Sequence, residues 1–91
     1  MLKAIKNAGF QMTFNNGVTI SVMFGSGNYC QNRETKQDAD VIKSTDAEIA
    51  MWDKDDNWYD FSSGKFDSVS VVKGWVSANE AAKYIALAAL F

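Results

Sequence analysis

The chain has 91 residues, 47% of them hydrophobic and 22% charged, which suits one folded domain over residues 1–91. It contains no histidine and one cysteine, so most acid–base and nucleophilic catalysis is excluded. Nine basic and eleven acidic residues give a net charge of −2, and the dispersed lysines form no basic patch. We therefore expect a non-enzymatic protein that uses no cofactor and does not bind DNA.

Two strands are predicted near the N-terminus. Apolar and polar residues alternate over residues 10–14 and again over residues 18–24. The Asn-Asn-Gly sequence at 15–17 tolerates the positive φ angles of a tight turn, so the two segments form a hairpin. The polar residues 25–40 have no hydrophobic period and predict a long loop, which in a small domain is typically functional or disordered.

The middle of the chain predicts a second hairpin. Residues 41–43 are apolar enough for a short edge strand, and residues 44–46 are typical of a turn. Residues 47–52 and 57–61 flank an acidic turn, and pairing them would bring Trp52 close to Trp58.

A fifth strand is predicted over residues 66–76, where valines alternate with polar residues. Gly74 interrupts this strand. A glycine inside a strand indicates a bulge or a close approach of another backbone segment.

The C-terminal segment is predicted to be helical. Ser77 and Glu80 match a capping box, and the alanine-rich helix then runs to the last residue without a glycine to end it. Only Asn79, Glu80 and Lys83 are polar, so the helix is apolar nearly all round and needs cover on more than one side. We expect an α+β fold, an antiparallel sheet of about five strands with this helix packed on one face. The long loop or a second copy would cover the other side of the helix, and the second alternative predicts a homodimer.

The cellular location is predicted from the ends of the chain and from its cysteine usage. Residues 1–6 lack the apolar run of a signal peptide, and the apolar residues 84–91 are far fewer than the ~20 that a membrane span requires. A single cysteine, Cys30, forms no internal disulfide, which is typical of a reducing compartment. We expect a cytoplasmic protein that does not enter a membrane.

The predicted loop contains the first candidate binding residues. Gly25 and Gly27 superficially resemble a phosphate-binding loop, but no Gly-Lys-Ser/Thr sequence follows them. The loop nevertheless combines a stacking ring, two amides and the only arginine of the chain. The predicted binding residues are Asn28, Tyr29, Asn32 and Arg33.

A second candidate is an exposed aromatic patch. Trp52, Trp58, Trp75 and Tyr59 are many large rings for a chain of this length, and one interpretation is that they build the core. Trp52 and Tyr59 are out of phase with the apolar residues around them, which indicates an exposed patch of the kind that marks a partner site. We include both as candidate binding residues and leave the core interpretation open.

The acidic turn partly matches a calcium-binding loop. Residues 53–57 place oxygen donors at the spacing that opens a calcium loop, but Trp58 and Gly64 stand where glycine and glutamate are required. We assign no metal ligand here and favour a hairpin turn, with weak divalent binding as the alternative.

Catalytic interpretations of the remaining residues are weaker. The carboxylate pairs Asp38/Asp40 and Asp53/Asp55 fall in predicted loops and turns, where carboxylates are solvated. Cys30 has no histidine to activate it and is expected to be packed.

Three blocks of the sequence carry a resemblance to a known group. Over residues 14–33, whose sequence is FNNGVTISVMFGSGNYCQNR, the chain resembles small proteins of unknown function encoded by tailed bacteriophages. The likeness continues through residues 46–53 and 74–77. It implies a phage gene product made in the host cytoplasm, with an accessory or host-interaction role, and it transfers no established catalytic role to this chain.

We therefore expect a phage accessory protein that binds a host protein and inhibits a host defence system. One alternative is a small-ligand or nucleotide-binding sponge, in which Tyr29 stacks on a base and Arg33 pairs with a phosphate. The other is a minor structural protein of the virion.

Overall fold

The structure is a computed structural model that describes residues 1–35 and 40–91. Over those residues it has seven strands in one antiparallel sheet and a C-terminal helix packed against the sheet, which confirms the predicted α+β fold with two more strands than expected. The elements are β1 (Leu2–Ile5), β2 (Gly9–Thr13), β3 (Thr19–Met23), β4 (Asp46–Trp52), β5 (Trp58–Asp60), β6 (Lys65–Ser68), β7 (Lys73–Ser77) and α1 (Ala78–Leu90).

Strand β4 lies at the centre of the sheet. The strands follow the order β1-β2-β3-β4-β5-β6, and β7 also pairs with β4. Because β3 occupies one edge of β4, β5 and β7 share the other edge: β5 pairs at Trp52, and β7 pairs over residues 46–49. The edge shared by β5 and β7 is where the candidate site is built.

The first predicted hairpin is confirmed. β2 and β3 pair antiparallel, with Met12 opposite Ile20. Gly17 has φ +85° in the turn, and the Phe14 N–H donates to the Val18 carbonyl at 2.9 Å. The turn sequence therefore sets the register that places alternate apolar side chains on the core side.

Strand β1 was not predicted. It pairs with β2, with Leu2 opposite Met12, but its four residues contain only two large apolar side chains and show no clear period. The turn after β1 depends on Asn7, whose φ of +57° is left-handed. Because a four-residue edge strand is stabilised by its neighbour rather than by its own composition, pattern alone does not reveal it.

The predicted edge strand at residues 41–43 is wrong. This segment is irregular, and the Lys43 carbonyl accepts a hydrogen bond from the Asn32 side chain at 2.8 Å instead of pairing in the sheet. This hydrogen bond connects the segment to the loop that follows β3.

The predicted strand over residues 66–76 is two strands. β6 ends at Ser68 and β7 begins at Lys73, and between them Ser70 has φ +56°. A left-handed residue cannot continue a pleated strand, so the chain leaves β5 and returns to pair with β4.

Helix α1 packs on the sheet through small side chains. Ala81 and Ala88 are buried against the core, and their methyl groups allow a close approach of helix and sheet. The predicted N-cap is confirmed, since Ser77 Oγ accepts from the Glu80 N–H at 3.2 Å. The buried side chains outside the helix that form this core are Val18, Ile20, Val22, Ala47, Ile49, Met51, Tyr59 and Val76.

The C-terminal end of α1 is capped by the first hairpin. The Asn16 Nδ2 donates to the Ala88 carbonyl at 2.8 Å and to the Phe91 carbonyl at 3.1 Å, while its Oδ1 accepts from the Val18 N–H. Helix carbonyls near the terminus lack intrahelical partners, so a turn residue supplies what a glycine cap would.

The outer face of α1 is exposed and combines alanines with the polar residues Asn79, Glu80 and Lys83, and Leu90 is 83% exposed. In the part of the chain that the structure describes, no helix has both the length and the hydropathy to cross a membrane.

Candidate functional site

The loop after β3 is fastened to β4 by two carboxylates. Glu48 Oε2 accepts from the Tyr29 N–H at 2.8 Å, and Asp46 Oδ1 accepts from the Gln31 N–H at 2.6 Å. Hydrogen bonds from backbone N–H to a charged acceptor are strong, so the described part of the loop, residues 25–35, has a defined position beside β4.

The two candidate asparagines hold the loop in shape. Asn28 Oδ1 accepts from the Gly25 N–H at 3.0 Å. Asn32 is buried, and its Nδ2 donates to the carbonyls of Phe24 and Lys43, both at 2.8 Å. Because these side chains are engaged within the protein, they position their neighbours Tyr29 and Arg33 rather than face solvent.

A bulge in β7 places Trp75 opposite the loop. Ala47 pairs with Val76 and Ile49 pairs with Lys73, so two residues of β7, Gly74 and Trp75, oppose the single residue Glu48. Trp75 has φ +50°, a conformation that is uncommon for a bulky residue and costs about 1–2 kcal/mol. Bulges of this kind redirect a side chain and are frequent beside functional sites.

Tyr29 and Trp75 are in direct contact. The Trp75 N–H donates to the Tyr29 carbonyl at 2.8 Å, and their ring centroids lie 5.7 Å apart with a 40° angle between the planes. Gly74 permits this contact, since a Cβ at that position would lie 2.7 Å from the Tyr29 Cβ. The predicted bulge and the predicted close approach at Gly74 are therefore both confirmed.

Arg33 completes this group. Its guanidinium carbon lies 4.4 Å from the centroid of the Tyr29 ring, which is a cation–π distance, and its Nε lies 3.6 Å from the Glu34 carboxylate. Tyr29 is 41% exposed and Trp75 is 58% exposed. We call Tyr29, Arg33 and Trp75 the Tyr29–Trp75 surface.

A second aromatic pair lies at the other end of β4. Trp52 and Trp58 face each other across the second hairpin, with ring centroids 4.9 Å apart, which confirms their predicted proximity. Both are partly buried. On β4, Ala47, Ile49 and Met51 point to the helix, so Trp52 points to the opposite side of the sheet, which we call the helix-free face.

The expectation that Tyr59 belongs to an exposed patch is corrected. Tyr59 is 8% exposed, and its ring packs against Phe61, Phe66 and Phe91 at centroid distances of 5.1 to 5.8 Å. Strand β5 turns Tyr59 toward the helix side of the sheet, so it belongs to the core.

The acidic turn is built by its own hydrogen bonds. Asp53 Oδ1 accepts from the N–H groups of Asp55 and Asn57, both at 2.9 Å. These bonds, with Asn57 first, hold the pKa of Asp53 below its ordinary value of 3.8. Over residues 1–35 and 40–91, no three His, Cys, Asp or Glu side chains come close enough together to hold a metal ion.

The other residues considered for catalysis fall into two groups. Cys30 is buried, and its Sγ lies 3.7 Å from the Gly25 carbonyl, as expected for a packed thiol. Of the pair Asp38/Asp40, Asp38 lies outside the described residues.

A separate apolar cleft of about 280 Å³ lies between α1 and the sheet, lined mainly by aliphatic and aromatic side chains. Its polar margin includes Asp46, whose carboxylate is already engaged by Gln31. The cleft therefore adds no charged group to the Tyr29–Trp75 surface.

The sequence pattern predicts Tyr29 and Arg33 as binding residues but does not predict Trp75. The available signal was Gly74, which indicated a close backbone approach next to a large ring. A tyrosine, a tryptophan and an arginine on a hydrogen-bonded support offer stacking and hydrogen-bonding chemistry, which serves recognition.

A scan against protein-family models found no match, and searches of the curated proteins and of the solved structures found none either.

Proposed function

We propose that this chain is a non-enzymatic accessory protein of a tailed bacteriophage that binds a host protein in the host cytoplasm and thereby inhibits a defence system. The Tyr29–Trp75 surface is the proposed contact site. The observation that carries the proposal is the exposed Tyr29–Trp75 pair, which is held in place by a strained bulge in β7.

The composition of this surface supports protein binding. Tyrosine, tryptophan and arginine are the residues most enriched at the energetic centres of protein interfaces. All three side chains remain exposed, although burying Trp75 in the core would contribute more to stability. Trp75 adopts a left-handed backbone conformation although this conformation is energetically unfavourable for tryptophan. Backbone strain of this kind is concentrated at functional sites.

The nucleotide-sponge alternative is less well supported by the same contacts. A base stacking on Tyr29 would compete with the Arg33 guanidinium that already lies over the ring. Glu34 lies beside Arg33, its side chain is 92% exposed, and its carboxylate would repel a phosphate. We therefore rank protein binding first.

The test is affinity capture from host lysate with the full chain as bait, followed by titration of the retained protein in purified form. Trp75→Asn removes the indole while keeping a residue that tolerates positive φ, so the fold should survive. We expect this variant and Arg33→Ala each to weaken binding about tenfold or more.

Leu2→Ser is the matched control, because Leu2 is also a large exposed apolar residue, at 77% exposure, but lies on β1, away from the surface. Equal capture by all variants would overturn the proposal. So would ligand-induced stabilisation by nucleotides without a protein partner, or a large amount of the chain in purified virions.

A further inference from the structure

Asn16 is the one asparagine of the chain that precedes a glycine. The chain has seven asparagines, and the residues that follow the other six all carry side chains. Asparagine is among the chemically least stable residues of proteins. The backbone nitrogen of the following residue can attack the side-chain amide, and glycine leaves this nitrogen unshielded because it has no Cβ. The Asn16–Gly17 pair is therefore the position at which deamidation of this chain is chemically easiest.

Deamidation at this pair needs no reagent other than water. The Gly17 nitrogen gives up its proton and bonds to the Asn16 Cγ, and the Asn16 Nδ2 leaves as ammonia. The product is a five-membered succinimide ring that joins the side chain to the backbone. Water then opens the ring at one of its two carbonyls, so that position 16 becomes either an aspartate or an isoaspartate.

In the folded chain both reacting groups are engaged in hydrogen bonds. The Gly17 N–H donates to the Phe14 carbonyl at 3.0 Å. The Asn16 Oδ1 accepts from the Val18 N–H at 2.9 Å, and its Nδ2 donates to two carbonyls at the end of α1, at 2.8 and 3.1 Å. The Asn16 Cγ cannot reach the Gly17 nitrogen while these bonds hold the side chain. The reaction therefore requires the end of α1 to separate from the first hairpin.

The end of α1 opens more easily than the core of the protein. Helix ends fray at a much lower free energy than global unfolding requires, and Leu90 is 83% exposed here. The Phe91 ring packs against Tyr59 and Phe66 at centroid distances of 5.8 and 4.8 Å. These contacts help to hold the last turn of the helix beside Asn16, so Phe91 influences how often the side chain is released.

We propose that Asn16 is a site of spontaneous deamidation, that the end of α1 controls its rate, and that the product releases the helix from the first hairpin. A carboxylate at position 16 cannot donate to the helix carbonyls at neutral pH, and its charge opposes the helix dipole. Isoaspartate also lengthens the turn backbone by one carbon, which disturbs the register of β2 and β3. Because neither product reverts to asparagine, altered molecules accumulate as the protein ages. The inference is independent of the proposed function.

The experiment follows the full-length protein during incubation at physiological temperature in mildly alkaline buffer, where the attacking nitrogen loses its proton more readily. Peptide mapping by mass spectrometry identifies each asparagine that has become a carboxylate and separates aspartate from isoaspartate. A parallel incubation in guanidinium chloride gives the rate in the unfolded chain. Asn16→Gln is the blocked control, because it keeps a side-chain amide but cannot form the five-membered ring.

Two variants separate control by the helix end from general instability. Phe91→Ala removes the ring that packs against the core next to Asn16. Gly74→Ala strains the fold at β7 instead, where an added Cβ would lie 2.7 Å from the Tyr29 Cβ. Thermal unfolding reports whether each variant is folded.

We expect Asn16 to be the first asparagine modified in the native protein, at a rate about tenfold below that of the unfolded chain. Phe91→Ala should raise the native rate about tenfold, whereas Gly74→Ala should stay within about twofold of the wild type. In guanidinium chloride all three chains should react at the same rate. If Phe91→Ala does not fold, the ratio of native to unfolded rates in the wild-type protein decides the question.

Three results would overturn the inference: another asparagine modified before Asn16 in the native protein, equal rates at Asn16 in the native and unfolded chains, or equal acceleration by Phe91→Ala and Gly74→Ala. The deamidated protein is then separated from the unmodified protein and unfolded in denaturant. We expect it to unfold at a lower denaturant concentration, and equal stability would refute the release of the helix.

Discussion

The contact between Gly74 and Tyr29 shows how one missing side chain builds the candidate site. A Cβ at position 74 would lie 2.7 Å from the Tyr29 Cβ and 3.2 Å from its carbonyl oxygen. Neither atom can move alone, because the Tyr29 N–H is hydrogen-bonded to the Glu48 carboxylate and the Tyr29 carbonyl to the Trp75 N–H. Position 74 requires glycine because there is no room for a Cβ. Its φ lies outside the left-handed range, so backbone conformation is not the reason.

Gly74→Ala is therefore expected to destabilise the protein by about 1–3 kcal/mol, the range for an overpacked contact. Urea unfolding measures the loss, and near-ultraviolet circular dichroism should report separation of the Tyr29 and Trp75 rings. The comparison variant is Gly27→Ala, which meets no atom within 4 Å but adopts φ +84° and so loses about 1 kcal/mol through backbone strain. An aromatic signal disturbed equally by both substitutions would contradict the steric explanation.

At the scale of single elements, the helix and the first hairpin depend on each other through Asn16. Its amide donates to two carbonyls at the end of α1 while its oxygen holds the Val18 N–H. The turn that sets the β2–β3 register thus also ends the helix. This dual role explains how α1 ends without a glycine cap.

Asn16→Ala is expected to reduce the free energy of unfolding by about 1–2 kcal/mol, because carbonyls at the helix end lose their donor. Asn16→Asp should be at least as destabilising at neutral pH, since a carboxylate cannot donate and its charge opposes the helix dipole. Chemical denaturation of both variants tests this. Asn15→Ala, at the exposed neighbouring position, should change stability by less than about 0.5 kcal/mol. A larger loss there would indicate that the turn, and not the helix end, accounts for the effect of Asn16→Ala.

The sequence predicts the elements that depend on adjacent residues. It does not predict those that depend on pairing with another segment or on a single unusual φ angle. The turn at 15–17 and the cap at Ser77 act through adjacent residues, and both are confirmed. By contrast, β1 exists because β2 offers it an edge, and the strand predicted over 66–76 is divided by the left-handed Ser70. Neither pairing nor φ angle is encoded in hydrophobic alternation.

At the scale of the whole molecule, the same distinction applies to the site. Tyr29 and Arg33 were recognisable because stacking and ionic chemistry is concentrated in one loop. Trp75 joins them only after β7 pairs with β4 and bulges. Tyr59 is buried and does not belong to the predicted patch, because Phe91 packs against its ring together with Phe61 and Phe66. Both outcomes depend on contacts between distant segments, which composition and periodicity do not report.

The predicted homodimer is also a question about the whole molecule. The outer face of α1 presents Ala82, Ala86, Ala89 and Leu90, and the helix has 13 residues, which makes it about 20 Å long. A strip of that length and about 10 Å width is far smaller than the roughly 800 Å² per partner of a standard interface. Alanine methyl groups also contribute little apolar area, so any dimer through this helix should be weak.

We therefore expect a dimer that dissociates on dilution through the micromolar range, with a mass approaching twice the 10.1 kDa of the chain at high concentration. Analytical ultracentrifugation over a concentration series measures this equilibrium. Leu90→Asp should abolish it, because Leu90 is 83% exposed and its substitution leaves the core intact. Leu87 is unsuitable for the test, since it packs against the core, and Leu2→Asp on β1 is the control for added surface charge. A wild-type chain that stays monomeric at every concentration would refute the dimer.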